Sequence, residues 1–66
     1  MKNKIRIERA KLRISQEDLA DAVGTTKQTI NKVENDKSDP KIGLAIRIAR
    51  FFGLKVDDVF QDDEEE

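Results

Sequence analysis

The apolar residues of this chain recur at the three- and four-residue spacing of amphipathic helices, and no segment alternates as a half-buried strand would. Turn-forming residues interrupt the pattern at Ser15, Gly24, residues 36–40 and Gly53. The pattern therefore predicts an all-α fold of five short helices, at about residues 3–13, 16–23, 27–35, 41–52 and 56–60. On the first helix Ile5 and Leu12 share one face, and Ile7 lies nearly opposite.

The start and end of the second predicted helix have clear local signals. Ser15 and Asp18 have the spacing of a capping box, in which each residue satisfies a free backbone N–H of the other. Gly24 follows the helix at the position where a positive φ is needed. The third helix has a cap candidate in Thr26, so the two helices are separated by a turn of only a few residues.

The third predicted helix has two distinct faces. Thr26, Ile30 and Val33 share one face, from which Ile30 and Val33 anchor the helix on the core. The opposite face has amide and ammonium groups and no carboxylate, from Gln28, Asn31, Lys32 and Asn35, with Lys27 on its flank. Two short helices joined by a tight turn, the second with an exposed polar face, are typical of a helix-turn-helix, here at residues 16–35.

The fourth predicted helix is apolar on nearly all sides. Ile42, Ala45, Ile46 and Ala49 form one stripe, and Leu44, Ile48 and Phe51 form another. Such a helix is buried on more than one side, which in a small domain predicts a surface covered by a second chain. The candidate dimer surface consists of Leu44, Phe51, Val56, Val59 and Phe60.

Composition limits the chemistry that this chain can perform. Its 66 residues allow one domain, and with neither Cys nor His the commonest zinc, iron and copper sites cannot form. The same absence excludes Cys–His and Ser–His catalysis, so we expect no enzyme activity, cofactor or metal. No apolar stretch is long enough to span a bilayer and no secretory signal is present, so a cytoplasmic location without a membrane partner is expected.

Charge is distributed unevenly along the chain. All 13 Lys and Arg precede residue 61, whereas five of the 14 Asp and Glu lie in residues 61–66. We therefore expect a basic domain at residues 1–60 and a disordered, acidic, solubilising tail at residues 61–66. The alternative is a regulatory tail that competes with a polyanion for the basic face.

Several motifs resemble those of the phage Cro and repressor-like (XRE) family. They are ISQEDLA at 14–20, VGTTKQTI at 23–30, KVEN at 32–35, Pro40, IRIARFFGL at 46–54 and Val59-Phe60. The resemblance covers about residues 3–60. It implies a lambda-repressor-like domain in a sequence-specific transcriptional regulator, of the repressor type, that binds double-stranded DNA without a cofactor.

The resemblance also implies roles for individual residues. Gln16 would bind a phosphate, and Thr26 would cap the third helix and contact a phosphate. Lys27 and Gln28 would contact base edges, Thr29, Asn31 and Lys32 are the next candidates, and Lys37 and Ser38 would hold the DNA backbone. Arg9 and Glu34 would bridge the first and third helices.

Four positions depart from the family pattern. Asp36 occupies a site where Gly is frequent, and Asp tolerates a left-handed backbone better than most residues but less well than Gly. Arg13 occupies a site where Gly or Asn is frequent. Lys41 and Lys55 stand where Ser or Thr often caps the fourth and fifth helices, and a lysine cannot accept an N–H bond. Asp39 is the alternative cap of the fourth helix.

Two classes of function fit the sequence. The first is a homodimeric regulator that reads an inverted-repeat operator, with no small-molecule ligand. The second is a protein-interaction module, such as an antitoxin or an adaptor, that uses the same fold. Its contact surface would consist of Ile7, Leu44, Phe51 and Phe60.

Overall fold

The computed structural model describes residues 1–61, which form five helices and one small sheet. The predicted all-α architecture is confirmed, and α2 has the predicted bounds. In chain order the elements are β1 (Lys2–Asn3), α1 (Ile5–Leu12), α2 (Gln16–Val23), α3 (Lys27–Glu34), α4 (Ile42–Phe51), α5 (Val56–Val59) and β2 (Phe60–Gln61).

Local capping sets the limits of α2 and α3. The Ser15 hydroxyl accepts a hydrogen bond from the Asp18 N–H at 2.9 Å, and the Ser15 N–H donates to the Asp18 carboxylate at 3.1 Å. Gly24 ends α2 with φ +78°, a conformation that costs a residue without Cβ little. The Thr26 hydroxyl accepts from the Thr29 N–H at 3.1 Å and so caps α3. The Gly24 turn and the Thr26 cap thus fix the two ends of the short loop between α2 and α3.

The sheet is an addition to the predicted fold. β1 pairs with β2 in antiparallel register, Lys2 with Gln61 and Asn3 with Phe60. Strands of two residues are too short to show an alternating pattern, so the sequence contains no signal for them. Gln61, which the sequence assigned to the tail, therefore pairs with the domain, and the rest of that tail, residues 62–66, lies outside the described residues.

The N-termini of α4 and α5 differ in how they are capped. No side chain caps α4 at Lys41, and Asp39 instead forms an ion pair with the N-terminal ammonium group at 3.5 Å. The predicted Asp39 cap is therefore wrong. At α5 the Asp58 carboxylate accepts a hydrogen bond from the Lys55 N–H at 3.1 Å, so a residue inside the helix satisfies a backbone group before it.

A single hydrophobic core joins α1, α2, α3, α4, α5 and β2. Ile5, Leu19, Ile30, Ile48 and Val59 are its largest fully buried side chains. Leu12 is exposed, contrary to its predicted position beside Ile5, because α1 ends there and the chain turns so that Ile14 packs against the core instead. The core fixes how α2 and α3 cross, and it leaves the outward face of α3 uncovered.

The candidate dimer surface requires correction. Leu44, Val59 and Phe60 are buried within the monomer, because the second apolar stripe of α4 and the end of α5 pack into its own core. The apolar side chains that α4 leaves exposed are Ile42 (76%), Ile46 (38%) and Phe51 (40%). Of the predicted set, only Phe51 and the half-buried Val56 remain available to a second chain.

Among residues 1–61, two residues other than glycine adopt a left-handed backbone, Arg13 with φ +57° and Asp36 with φ +61°. Each follows a helix and turns the chain toward the next element. At both positions the family pattern often has Gly, and glycine would be less strained there than Arg13 or Asp36.

We predict that Arg13→Gly raises the free energy of unfolding by about 0.5–1 kcal/mol. Removing the Cβ relieves left-handed strain of about 1–2 kcal/mol, and the greater freedom of glycine in the unfolded chain offsets part of the gain. Urea denaturation measures the effect. The control is Arg13→Ala, which removes the exposed side chain but keeps the Cβ, and an equal gain in both variants would contradict the explanation.

Within residues 1–61, no helix combines the length and the apolar character that crossing a membrane requires.

Candidate nucleic-acid interface

Five of the nine residues predicted to contact DNA line one concave surface. Gln16, Lys27, Gln28, Asn31 and Lys32 line a concave surface of about 440 Å³, which we call the α2–α3 groove. Gln16 is the first residue of α2, and the other four belong to α3. The groove thus combines the N-terminal end of one helix with the outward face of the next.

A side-chain contact connects the two helices across this groove. The Asn31 amide donates to the Gln16 side-chain oxygen at 3.3 Å, and both residues stay accessible to solvent. Below them Leu19, Ala20 and Ile30 are buried, so the groove rests on the part of the core where α2 crosses α3. At the start of α2 the free backbone N–H groups and the helix dipole favour an anion beside Gln16.

The α2–α3 groove is electropositive because no acidic side chain lines it. None of its lining residues is acidic, and two are lysines. The single carboxylate of α3, Glu34, points inward, with a side chain that is 1% exposed. The groove therefore presents positive charge and amide groups to solvent.

Glu34 is held by two arginines of α1. Arg9 donates to both carboxylate oxygens, at 3.0 and 2.9 Å, and Arg6 donates to Oε2 at 2.9 Å. Arg9 also donates to the Ile14 carbonyl oxygen at 2.9 Å. The structure thus brings together the pair Arg9 and Glu34 and adds Arg6, and it ties α3 to α1.

The ionisation of Glu34 reflects two opposing effects. Burial raises the pKa of a carboxyl group, but hydrogen bonds from Arg9 and Arg6, and their charges, outweigh it and hold the pKa of Glu34 below its ordinary value. The hydrogen bond with Glu34 raises the pKa of Arg9, against the opposing effect of burial. The bridge is therefore fully charged at neutral pH.

The remaining candidate residues lie beside the groove. Thr26 is exposed, and its hydroxyl is 3.0 Å from that of Thr29. Thr29 and Ser38 line a second groove of about 550 Å³ between α3 and the start of α4, together with Lys41 and Arg47 among others. Lys37 is exposed after α3, and its N–H donates to the Lys32 carbonyl at 2.8 Å.

Comparison with known proteins assigns this arrangement to a family. A family model described as helix-turn-helix matches residues 5–59. The chain belongs to the Cro and repressor-like (XRE) helix-turn-helix family. This family comprises DNA-binding transcriptional regulators and is not a class of enzymes.

Two HTH-type transcriptional regulators match this chain along nearly its whole length. An uncharacterised HTH-type transcriptional regulator of Methanocaldococcus jannaschii is 48% identical, with 97% of this chain and all of the relative covered. The uncharacterised HTH-type transcriptional regulator YgzD of Bacillus subtilis is 42% identical, with 98% of each chain covered. The P22 c2 repressor, solved in complex with a synthetic operator, is 26% identical, with a TM-score of 0.79 over 82% of each chain.

The sequence pattern did not indicate several residues that shape this interface. The Asn3 amide donates to the carbonyl oxygens of Val33 at 2.9 Å and Glu34 at 3.3 Å, at the C-terminal end of α3. Arg47 donates to the Val23 carbonyl at 2.7 Å and so fixes the end of α2. Partners so distant in sequence leave no local signal, although Arg6 could have been found, since it precedes Arg9 by three residues on one helix face.

The surface proposed for the interaction module is not continuous in the structure. Leu44 and Phe60 are buried in the core, while Ile7 and Phe51 are exposed. The four residues therefore do not form a common contact area in the monomer.

Proposed function

We propose that this protein is a sequence-specific DNA-binding transcriptional regulator of the repressor type, which reads the major groove with the exposed face of α3. The main support for the proposal comes from the α2–α3 groove, where lysine and amide side chains lie together and no carboxylate is among the lining residues. A DNA major groove is about 12 Å wide and admits a helix, and its edges present the acceptors and donors that such side chains recognise.

In this proposal, residues in the first turn of α3 recognise the bases. Lys27 and Gln28 are exposed there and line the groove. Lysine donates to guanine O6 and N7, and glutamine pairs with adenine N6 and N7 through two hydrogen bonds. Asn31 and Lys32, one turn further on, read or position the neighbouring part of the site. Thr29 points toward the second groove, which makes it a candidate for backbone rather than base contact.

Phosphate contacts position the helix on the duplex. Gln16 stands at the N-terminus of α2, and Thr26 stands at the cap of α3. Ser38 lines the second groove with Lys41, and Lys37 lies in the loop before them. Groups on both sides of α3 would thus bind the sugar-phosphate backbone and set its register, while α3 supplies specificity. The likeness to the P22 c2 repressor, whose solved complex contains operator DNA, supports this placement.

The regulator acts as a homodimer on an inverted repeat. A single module buries only about 600–1,000 Å² against DNA, too little for tight specific binding. Ile42 and Ile46 lie one turn apart on the exposed face of α4, and Ile42 and Val56 line a groove of about 300 Å³ between α4 and α5. These side chains, with Phe51 at the end of α4, are the surface that we assign to the second copy.

Selection of binding sites from a random duplex pool, by purified protein at two salt concentrations, tests the proposal. The expected result is a palindromic motif with half-sites about one helical turn apart. A single unrepeated motif would contradict the dimer but not the reading of DNA by α3. An absence of enrichment at both salt concentrations would contradict sequence-specific binding itself.

We predict that Gln28→Ala loses about 1–3 kcal/mol of discrimination at one position of each selected half-site. The side chain is exposed, so the fold should be retained. Affinity for duplexes that vary at each position measures the effect. Glu17→Ala, an exposed substitution in the first turn of α2, is the control. An equal loss on every sequence would exclude base reading by Gln28.

A further inference from the structure

Arg6 lies on the surface at the C-terminal end of α3. Its Nε donates to Glu34 at 2.9 Å, and its Nη2 donates to the side-chain oxygen of Asn35 at 2.8 Å. The side chain of Arg6 is 68% exposed, whereas that of Arg9, the other arginine on Glu34, is 17% exposed. The two arginines therefore differ in their access to solvent, although they share a carboxylate.

Asn35 connects Arg6 to the outward face of α3. Gln28, Asn31 and Asn35 follow one another at helical spacing on that face. The Asn35 amide also donates to the Asn31 carbonyl at 3.0 Å, which keeps it against the helix end. The guanidinium group of Arg6 thus continues the polar face of α3 beyond its last turn.

The charges at this cluster do not cancel. Glu34 supplies one negative charge, and two arginines contact it. Arg9 contacts both carboxylate oxygens from the buried side, so the excess positive charge lies at the exposed Arg6. A guanidinium group has five N–H donors, and those that Glu34 and Asn35 do not use remain on an exposed group.

We propose that Arg6 binds a DNA backbone phosphate at the far end of α3, with Glu34 and Asn35 orienting its planar guanidinium group. This inference rests on the proposed reading of DNA by α3. Gln16 would hold the backbone at one end of the recognition surface and Arg6 at the other. Guanidinium groups suit this task because their paired N–H groups match the oxygens of a phosphate.

The test compares Arg6→Gln and Arg6→Lys with wild type, on a selected duplex and on a random duplex, over a series of salt concentrations. Arg6→Gln should weaken binding to both duplexes by a similar factor, and should lower the slope of log Kd against log salt by about 0.9 for each Arg6 that binds a phosphate. Arg6→Lys should retain the slope, because it keeps the charge while losing the double contact with Glu34 and Asn35.

The control is Lys11→Gln, which removes a positive charge from the same helix. Lys11 pairs with Glu8 at 3.1 Å and lies on a different face of α1 from Arg6, so its removal should leave the slope unchanged. An unchanged slope in Arg6→Gln, or a loss in Arg6→Lys equal to that in Arg6→Gln, would overturn the phosphate contact. Failure of wild-type protein to bind either duplex would overturn the proposed function as well.

Discussion

Glu34→Ala should lower the free energy of unfolding by about 3–5 kcal/mol, because it leaves the half-buried Arg9 without its partner. A chain of this length has a total stability of about 3–10 kcal/mol, so the loss would remove a large fraction of it. Urea denaturation followed by circular dichroism measures the loss. Since the bridge joins α1 to α3, the loss of stability should be accompanied by loss of DNA binding.

The matched control is Asp21→Asn, which removes an exposed carboxylate from α2. An exposed substitution of this kind usually changes the free energy of unfolding by less than about 0.5 kcal/mol, so the control should unfold close to wild type. A loss below about 1 kcal/mol in Glu34→Ala would contradict the structural role of the bridge.

The pH dependence of the same bridge gives a second, independent check. The pKa of Glu34 is lower in the folded state than its ordinary value of 4.5, so the ionised form stabilises the fold above that pH. This contribution is lost as the pH falls through the lowered folded pKa. The difference in unfolding free energy between wild type and Glu34→Gln should therefore shrink on acidification from pH 6 to pH 3. A difference that stays constant would contradict it.

Affinity for a selected duplex should fall by about a thousandfold between 50 and 200 mM salt. If Arg6, Lys32 and Lys37 of each chain bind phosphates, a dimer neutralises about six phosphates, and each contact adds about 0.9 to the slope of log Kd against log salt. Fluorescence anisotropy with a labelled duplex measures the slope directly.

Lys37→Gln provides the internal comparison for this result. It removes one lysine of the proposed backbone contacts and should reduce the slope by about 0.9 for each chain bound. Lys55→Gln removes an exposed lysine before α5 and should leave the slope unchanged. A flat salt response of the wild type would contradict a phosphate-driven mode of binding.

The parts of the interface that the sequence predicted are those with local causes. Ser15, Asp18 and Thr26 satisfy backbone groups three residues away, and Gly24 relieves strain at its own position. The composition of the α3 face likewise follows from helical spacing alone. Interactions over so few residues do not depend on the remainder of the fold, which is why α2, α3 and most of the α2–α3 groove could be predicted.

The resemblance to a known family also allowed one contact between distant residues to be predicted. Arg9 and Glu34 are 25 residues apart, and only the family pattern implied that they meet. Arg6, Asn3 and Arg47 also contact residues at least 24 positions away. The position of Arg6, three residues before Arg9 on one helix face, was a signal for its partner, but no pattern indicated the partners of Asn3 and Arg47. These three residues hold the ends of α2 and α3, so the orientation of the recognition surface depends on contacts that the sequence did not reveal.

The sequence by itself determined five helices, the limits of α2, the start of α3, and the carboxylate-free face of α3. Only the tertiary structure decided which apolar residues of α4, α5 and β2 enter the core, and it buried Leu44, Val59 and Phe60, which the pattern had placed on a dimer surface. It also decided that residues 2–3 and 60–61 pair as strands. The reason is physical: capping and helical periodicity act within one or two turns, whereas burial depends on which distant segments pack together.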